Sequence, residues 1–429
     1  MTTRLLGAET LDEQQVHAGT TEKQILDAVD AAEERARVRQ AGLKDGSAEQ
    51  MVVQFWDEIN TCPHQPLFKQ ILVDRINPRT GQAIHSSLRF VAACNPWRLA
   101  SQGSVLSVGF ESPVCKDDRL AGLAYRVHPL PESLFVHLSS FGQLTSEAEV
   151  EYVKEMASQP PRLLDPDDQP LTAPPVSVEM RSHVASICLV LHNFFRALGS
   201  CVSLRDPTRL LRIWGFIRWE MEQRDSIMHF DGRQMSPQAE LVSMVLAIHL
   251  AYELRLSEFK LRQQLLQSLF EPSSELSKLF QKHFPGECKD GPEGIEIWRR
   301  IVMEEQNYWL NAIDVPDNVA KVRALRENIY AELICSLTRT PILVLGKPGC
   351  SKSLTVSLLI TAMTNPHAKQ LLHLASFIVQ PHQGNRQSTS SSLLQVFDRA
   401  RARQIKLREL KNRKTRPLAL VLLDEVPLV

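Results

Sequence analysis

Residues 341–353 read Pro-Ile-Leu-Val-Leu-Gly-Lys-Pro-Gly-Cys-Ser-Lys-Ser, a short apolar stretch that leads into a glycine-containing turn and ends in Lys-Ser. An apolar strand followed by such a turn and a helix is the layout of a phosphate-binding P-loop. Backbone N–H groups of the turn and the positive end of the following helix attract phosphate oxygens. In this arrangement Lys352 would reach the β- and γ-phosphates, and the Ser353 hydroxyl would bind Mg²⁺.

The motif departs from the strict pattern G-x-x-x-x-G-K-[ST] at one position. Gly346 occupies the first glycine position, but Ser351 stands at the second, and Gly349 lies two residues earlier. Glycine adopts the backbone conformation of that position most easily, so serine weakens the signal without removing it. The simpler alternative is a strand–turn–helix corner that binds no ligand. The stretch nevertheless favours nucleotide binding.

The composition is that of a globular protein without a charge bias. The 429 residues are enough for roughly two or three domains, and 43% of them are hydrophobic. Lys+Arg and Asp+Glu both number 49, so the formal net charge is zero. Zero net charge gives no argument for nucleic acid or an anionic membrane as a partner.

Cysteine spacing and hydropathy bear on the cellular setting. The chain has 8 Cys, and no two of them form a C-x-x-C pair, so their spacing builds neither a zinc ribbon nor a RING-type site. The first twenty residues contain no apolar signal core. The most apolar stretches, 184–198 and 241–254, contain polar residues and indicate buried helices, not transmembrane segments. We therefore predict a reduced, cytoplasmic location.

Periodicity and turn residues divide the chain into α/β and helical parts. A helix is predicted over residues 20–40, followed by strands at 51–56, 88–94 and around 123–127. The Pro- and Asp-rich stretch 158–176 indicates a linker or surface loop. From about residue 180 to 333 the pattern is helical, and the α/β pattern then returns, with strands predicted at 341–345, 372–379 and 418–423.

The most basic segment is residues 399–416, which contain no aromatic residue. A stacking platform for single-stranded nucleic acid uses aromatic side chains. The segment is therefore interpreted as a solvated helix and loop, and no nucleic-acid partner is predicted.

Two of the apolar strands end in Asp-Glu, as Asp57-Glu58 and Asp424-Glu425. In a P-loop ATPase, the carboxylate that ends such a strand holds Mg²⁺, and the next Glu can polarise the attacking water. Either pair alone could be a simple turn. The second pair, however, follows the P-loop by some seventy residues, which leaves room for a strand–helix–strand unit that brings both to one edge of a parallel sheet.

Asn95 follows the next apolar strand after Asp57-Glu58. A polar residue at this place can orient the attacking water near the γ-phosphate. The alternative is ordinary turn chemistry, because Asn95 precedes Pro96 and Asn-Pro is common in turns. Together with the preceding Asp-Glu pair, the functional interpretation is preferred.

The arrangement of these motifs resembles AAA+ ATPases, and more specifically the mysterin-type giant ring-finger E3 ubiquitin ligases, which have a dynein-like AAA+ core. The similar stretches include Phe55-Trp-Asp-Glu-Ile-Asn-Thr and Ala92-Ala-Cys-Asn-Pro-Trp-Arg. The others, in the order of the family, are residues 16–23, 123–131, 141–144, 202–206, 346–354 and 422–426.

The resemblance implies an α/β fold class, with P-loop AAA+ parallel sheets in two incomplete α/β subdomains joined by a largely α-helical lid and connector. Residues 1–150 would be the C-terminal part of a first α/β subdomain, with its Walker B and sensor 1 motifs, and 151–179 a linker. Residues 180–335 would form the lid and connector. Residues 336–429 would be the N-terminal part of a second subdomain, with Walker A and Walker B.

The family's site residues carry over position by position. Asp57 and Glu58 match the Walker B carboxylates of the first module, and Asn95 its sensor 1. Asp424 and Glu425 match Walker B of the second module, so Asp424 and Asp57 would bind Mg²⁺, as Ser353 would. The second module's ATP cradle would be Gly346, Lys347, Pro348, Gly349, Cys350, Ser351, Lys352, Ser353 and Leu354. Arg205 resembles a lid arginine that could approach a γ-phosphate; its alternative is a helix-start ion pair with Asp206.

The expected function is ATP binding and hydrolysis, coupled to movement between AAA+ modules of one ring, with the ubiquitin machinery as a partner by resemblance. Neither module is complete, so weak nucleotide binding and very slow hydrolysis are expected, and the ends are interpreted as edges of an incomplete gene model. The alternative is an interaction or scaffold protein that keeps the AAA+ shape without turnover. A P-loop GTPase is disfavoured because the chain has no Asn-Lys-x-Asp motif.

Overall fold

The computed structural model describes most of the chain in two compact units, one up to residue 142 and one from residue 144 onward. The described residues are 11–42, 51–96, 127–140, 142, 144–165, 168–200, 202–224, 230–231, 234–288, 292–346, 352–365, 371, 373–384, 388–409 and 417–424. Each unit has its own hydrophobic core.

The first unit is a small parallel sheet covered by a helix. Its elements are β1 (Leu11–Gln15), α1 (Glu22–Ala41), β2 (Val52–Asp57), α2 (Gln65–Lys69) and β3 (Leu88–Ala92). The strands lie in the order β1-β2-β3, and both pairings are parallel. Parallel neighbours bring the carboxyl ends of β2 and β3 to the same edge.

Local sequence explains why α1 forms and which face it buries. Thr21 caps the helix by accepting a hydrogen bond from the backbone N–H of Gln24, whose side chain in turn accepts from the Thr21 N–H. Ile25, Val29 and Ala32 recur at helical spacing and are at most 1% exposed. They pack with Trp56 of β2, so burial of one helical face holds the sheet.

The second unit begins with a helical body. Its elements are α3 (Ser146–Ser158), β4 (Leu163–Leu164), β5 (Pro170–Leu171), α4 (Val178–Ala197), α5 (Arg205–Gln223), β6 (Phe230–Asp231), β7 (Gln234–Met235), α6 (Pro237–Ala251), α7 (Phe259–Leu269), α8 (Glu275–His283), α9 (Pro292–Asn311) and α10 (Arg323–Leu337). Strands β4 and β5 form one antiparallel hairpin, and β6 and β7 another. The helices share one core, in agreement with the helical pattern of the sequence.

The stretch expected to be a linker, residues 151–179, contains regular structure. Helix α3 continues to Ser158, and the hairpin of β4 and β5 follows. Val153 and Ala157 are fully buried in the helical core. Their spacing of four residues is one helical turn, and this short apolar stripe anchors the segment despite the Pro- and Asp-rich residues that follow.

A buried polar cluster lies inside the helical body. His192 of α4 is hydrogen-bonded through Nδ1 to Glu149 of α3 and through Nε2 to the Tyr252 hydroxyl at 3.0 Å. Arg196 donates to Glu149 at 2.8 Å. Burial acts to raise the pKa of Glu149, but hydrogen bonds and charges from His192 and Arg196 lower it overall. The cluster is therefore satisfied internally.

The second unit ends in an α/β part. It consists of α11 (Lys352–Thr364), β8 (Ser376–Gln383), α12 (Ser390–Glu409) and β9 (Pro417–Asp424). Strands β8 and β9 are parallel, with Ser376 opposite Pro417 and Gln383 opposite Asp424. The strands predicted at 372–379 and 418–423 are thus present with shifted ends.

The strand predicted at 341–345 is wrong in the structure, where these residues lie in no strand. Leu343 is 77% exposed and Leu345 42% exposed, so the apolar pattern is real but pairs with neither β8 nor β9. A strand is defined by its hydrogen-bonding neighbour, which apolar composition alone does not supply.

The mixed α/β fold class predicted from the sequence is confirmed, with parallel strands in both units. Most of the strand predicted around residues 123–127 lies outside the described residues. Among the described residues, no helix is long and apolar enough to cross a membrane.

The burial of α4 gives a test of the helical core with two valines of one helix. Val184 is 1% exposed and Val178 is 77% exposed. We predict that Val184→Ala lowers the free energy of unfolding by about 2 kcal/mol, because it removes two buried methyl groups and leaves a cavity. The matched control Val178→Ala should change it by at most about 0.5 kcal/mol. Urea unfolding followed by circular dichroism measures both, and equal effects would contradict the assigned burial.

Candidate functional site

The first unit brings together the predicted residues at the ends of β2 and β3. Asp57 ends β2 and Glu58 follows it, while Asn95 lies three residues after β3. The Asn95 side-chain amide donates to Glu58 Oε1 at 3.3 Å. Backbone bonds continue the ladder past the strand ends, since Ala93 N–H donates to the Trp56 carbonyl at 2.8 Å. The structure therefore brings Glu58 and Asn95 together at one edge of the sheet, as the sequence predicts.

Glu58 is held in an uncommon backbone conformation at this edge. Its φ is 57°, in the left-handed region that non-glycine residues rarely adopt. Such conformations persist where the surroundings impose them, and they cluster at functional sites. The Thr61 hydroxyl lies 2.8 Å from the Glu58 carbonyl oxygen and 3.1 Å from the Val16 carbonyl oxygen, and its single proton can be donated to either. The Val16 N–H donates to the Asp57 carbonyl at 3.0 Å, which fixes the end of β2.

Asn60 is a residue of this site that sequence reasoning missed. Its side chain donates to the Asn95 carbonyl at 2.6 Å and accepts from the Asn95 N–H at 3.1 Å. Asn60 is 2% exposed and Asn95 is half-buried, so this two-point contact is largely shielded from water. These two hydrogen bonds fix the position of Asn95 relative to Glu58. The signal was present in the sequence as an asparagine two residues after the Asp-Glu pair, but short turns use asparagine too often for the position to stand out.

The second unit holds the described parts of the predicted cradle. Helix α11 begins at Lys352, within the predicted cradle, and Lys352 Nζ donates to the Gly346 carbonyl at 2.6 Å. Ser353 is exposed in the first turn, and Leu354 is half-buried. Lys347, Pro348, Gly349, Cys350 and Ser351 lie outside the described residues. The N-terminal end of this 13-residue helix carries a positive dipole end that attracts anions, and Ser353 is exposed there.

Asp424 is the last residue of β9 and is exposed. Its carbonyl accepts from the Gly384 N–H at 2.7 Å, which ties the end of β9 to the end of β8. Glu425 lies outside the described residues. Hydroxyl and carboxylate oxygens are the ligands that Mg²⁺ prefers, so Ser353 and Asp424 fit that ion by donor type. Among the described residues, no group of three or more His, Cys, Asp or Glu could hold a metal by itself.

Arg205 begins α5 and is exposed. The alternative interpretation of an ion pair with Asp206 is wrong, because Asp206 instead pairs with Arg255 at 2.8 Å. The other Asp206 oxygen accepts from the Ser203 N–H at 2.8 Å, in the manner of a helix cap. Negative charge at the first turn of α5 favours this use of Asp206.

Comparison with known proteins shows what the α/β part of the second unit is similar to. Residues 318–429 match the family model of the RNF213 AAA domain. This range contains α10, the cradle, α11 and the strand that ends at Asp424.

The chain as a whole is similar to E3 ubiquitin-protein ligases named RNF213. It is 28% identical to RNF213 of Mus musculus over an alignment of 428 residues. This alignment covers 91% of this chain and 7% of the mouse protein. It is 29% identical over 393 residues to rnf213-beta of Danio rerio and 27% identical over 426 residues to RNF213 of Homo sapiens. The chain spans about 7% of the length of these relatives. The resemblance seen in the sequence is thus confirmed, and the chain is RNF213-like over about nine-tenths of its length.

The contact between Asn60 and Asn95 can be tested by substitution. We predict that Asn60→Ala destabilises the first unit by about 1–3 kcal/mol, since the Asn95 backbone groups lose buried partners. The backbone N–H of Asn95 should then exchange its hydrogen for deuterium faster, as measured by NMR or mass spectrometry. The exposed Asn193 provides the control Asn193→Ala, for which Asn95 exchange should be unchanged. Unchanged exchange in Asn60→Ala would contradict the role of Asn60.

Proposed function

We propose that residues 346–354 bind ATP together with Mg²⁺. One observation carries the proposal: an α-helix begins at Lys352, within the cradle sequence, inside a segment that matches the RNF213 AAA domain. The backbone N–H groups of the cradle and the first turn of α11 bind the phosphates, and Lys352 neutralises their charge. In this role Lys352 exchanges its contact with the Gly346 carbonyl for a phosphate oxygen.

The chemistry proposed for this site is hydrolysis of the γ-phosphate. Bound Mg²⁺ would neutralise charge on the phosphates, and Ser353 and Asp424 are the residues that would hold it. Glu425 orients the attacking water and accepts its proton. The register of β8 and β9 fixes the position of Asp424 at the end of the sheet. Turnover by this chain alone is expected to be very slow, because an arginine finger from a neighbouring module can contribute a factor of about 10³–10⁵ in rate.

For the first unit we propose the equivalent roles of a neighbouring AAA+ module. Asp57 is the Mg²⁺-binding carboxylate, Glu58 the residue that polarises water, and Asn95 the sensor. The 3.3 Å contact between Glu58 and Asn95 supports this proposal, since it lets one side chain orient the other. Arg205 is proposed as a lid residue that approaches a nucleotide phosphate.

The wider proposal is an AAA+ ATPase part of an E3 ubiquitin ligase-type protein in the cytoplasm, in which nucleotide state changes the arrangement of modules in one ring. The similarity to proteins named E3 ubiquitin-protein ligase supports it. Partners would be the other modules of the ring and the ubiquitin machinery.

A second candidate is a scaffold that keeps the AAA+ shape without turnover. One feature favours it: Ser351 replaces the second glycine of the motif. The two candidates differ in what Glu425 does.

The nucleotide site is tested by removing its lysine. We predict that Lys352→Ala weakens ATP–Mg²⁺ binding at least tenfold, because a charge-assisted contact to phosphate is worth about 1.5–3 kcal/mol. Calorimetry or a fluorescent ATP analogue measures the affinity. Lys260 is exposed on α7 and gives the control Lys260→Ala, which should bind as the wild type does. Equal affinity of Lys352→Ala and wild type would refute the site assignment.

Hydrolysis is tested at Glu425. If the chain turns over ATP, Glu425→Gln should bind ATP with unchanged affinity and retain it unhydrolysed, since the amide cannot accept the proton. Chromatography of the bound nucleotide after incubation distinguishes ATP from ADP. The scaffold candidate predicts the same bound nucleotide in wild type and variant. Wild-type turnover near the typical enzyme value of about 10 s⁻¹ would contradict the slow hydrolysis expected of the isolated chain.

A further inference from the structure

A buried carboxyl group lies behind the phosphate-binding helix. Glu332 of α10 is only 6% exposed, and its Oε1 is 2.7 Å from the Thr355 hydroxyl of α11. Its other oxygen, Oε2, is buried and has no hydrogen-bond partner within the described part of the chain. An ionised carboxylate in this place would carry a large desolvation cost with a single partner.

The Thr355 hydroxyl has a second neighbour, the backbone carbonyl of Lys352, also at 2.7 Å. A hydroxyl has one proton to donate, so it cannot serve two acceptors fully at once. If Glu332 is protonated, it donates to Thr355, which then donates to the Lys352 carbonyl. If Glu332 is ionised, it accepts the hydrogen bond of the Thr355 hydroxyl, and the Lys352 carbonyl loses that bond. The state of Glu332 is thus transmitted to the first residue of α11.

The charges around Glu332 leave the neutral form favoured. Among the described residues, no cation forms an ion pair with Glu332. Arg209 of α5 lies close to the same helix, but its guanidinium contacts Cys335 Sγ at 3.8 Å. Lys352, the charged residue at the start of α11, bonds instead to the Gly346 carbonyl. Burial raises the pKa of Glu332 to about 7, although the bond to Thr355 acts against it.

We propose that Glu332 is a positioning residue of the nucleotide site, which binds phosphate with Glu332 protonated and takes up a proton through it when nucleotide binds. The inference rests on the function proposed for residues 346–354. Thr355 lies three residues after Lys352, about 4.5 Å along the helix axis, so an ionised Glu332 would place a buried negative charge close to the phosphates. Like charges in a poorly solvated site repel, and the phosphates hold the proton on Glu332.

The test compares ATP–Mg²⁺ affinity at pH 7.0 and pH 8.5 in the wild type and in Glu332→Gln. The glutamine amide can donate to Thr355 as the protonated acid does, and it does not titrate. We expect wild-type affinity to fall about five- to tenfold more than that of the variant across this interval. The exposed Glu296 of α9 gives the matched control Glu296→Gln, which should follow the wild type. The same pH dependence in all three proteins would overturn the proposal.

A second measurement does not need nucleotide. The pKa of Glu332 is 4.5 in the ordinary case and about 7 in the folded chain. At a pH between these two values, the folded chain holds a proton that the unfolded chain has released. The carboxyl therefore makes stability fall as pH rises through this window, and the contribution stays lost above it. The difference in Tm between wild type and Glu332→Gln should change across pH 4.5–7.5. A constant difference would overturn the claim that Glu332 is protonated in the folded chain. A chain with this Tm signature that binds no ATP at any pH would instead refute the proposed function, and the binding linkage with it.

Discussion

The burial of α10 is the constraint on which the second unit depends. Nearly all of its last nine residues are buried, and it packs against both α9 and α11. Tyr330 and Leu333 are fully buried, so the helix has no freedom to rotate without opening the core. Because α11 begins at Lys352, packing on α10 fixes the direction in which the cradle helix presents its positive end. The first turn of α11, where we propose that phosphate binds, is thereby attached to the whole helical body.

The two units use the same physical device at their candidate sites. In each, a parallel strand ends in an aspartate at an edge where a neighbouring strand also ends. In the first unit, the contact of the buried Asn60 with the half-buried Asn95 and the left-handed backbone of Glu58 hold the polar groups in place. In the second unit, the described contacts lie behind the cradle, in the chain from Glu332 through Thr355 to the Lys352 carbonyl. The polar groups of the first unit are held at the edge of its sheet, and the start of α11 in the second unit is held by contacts with α10.

Sequence reasoning succeeded where a local pattern carries its own geometry. Apolar strands that end in Asp-Glu, followed by Asn95, predicted the edge of the first sheet because parallel strands align their carboxyl ends. It failed where the partner decides the outcome. Residues 341–345 have the apolar composition of a strand, but they pair with no strand in the described part of the chain. Asp206 binds Arg255, 49 residues away, instead of Arg205. The buried set of Glu149, His192 and Tyr252 has no recognisable spacing in the chain, since only helix packing brings it together.

The central claim is that the start of α11 is a phosphate site coupled to the packing of α10. Hydrogen–deuterium exchange of the whole chain, with and without ATP–Mg²⁺, tests it most directly. The account predicts slower exchange in residues 346–356, at the end of β9, and in the last two turns of α10. Exchange that is unchanged in residues 346–356 at saturating ATP–Mg²⁺, or protection confined to other parts of the chain, would contradict it.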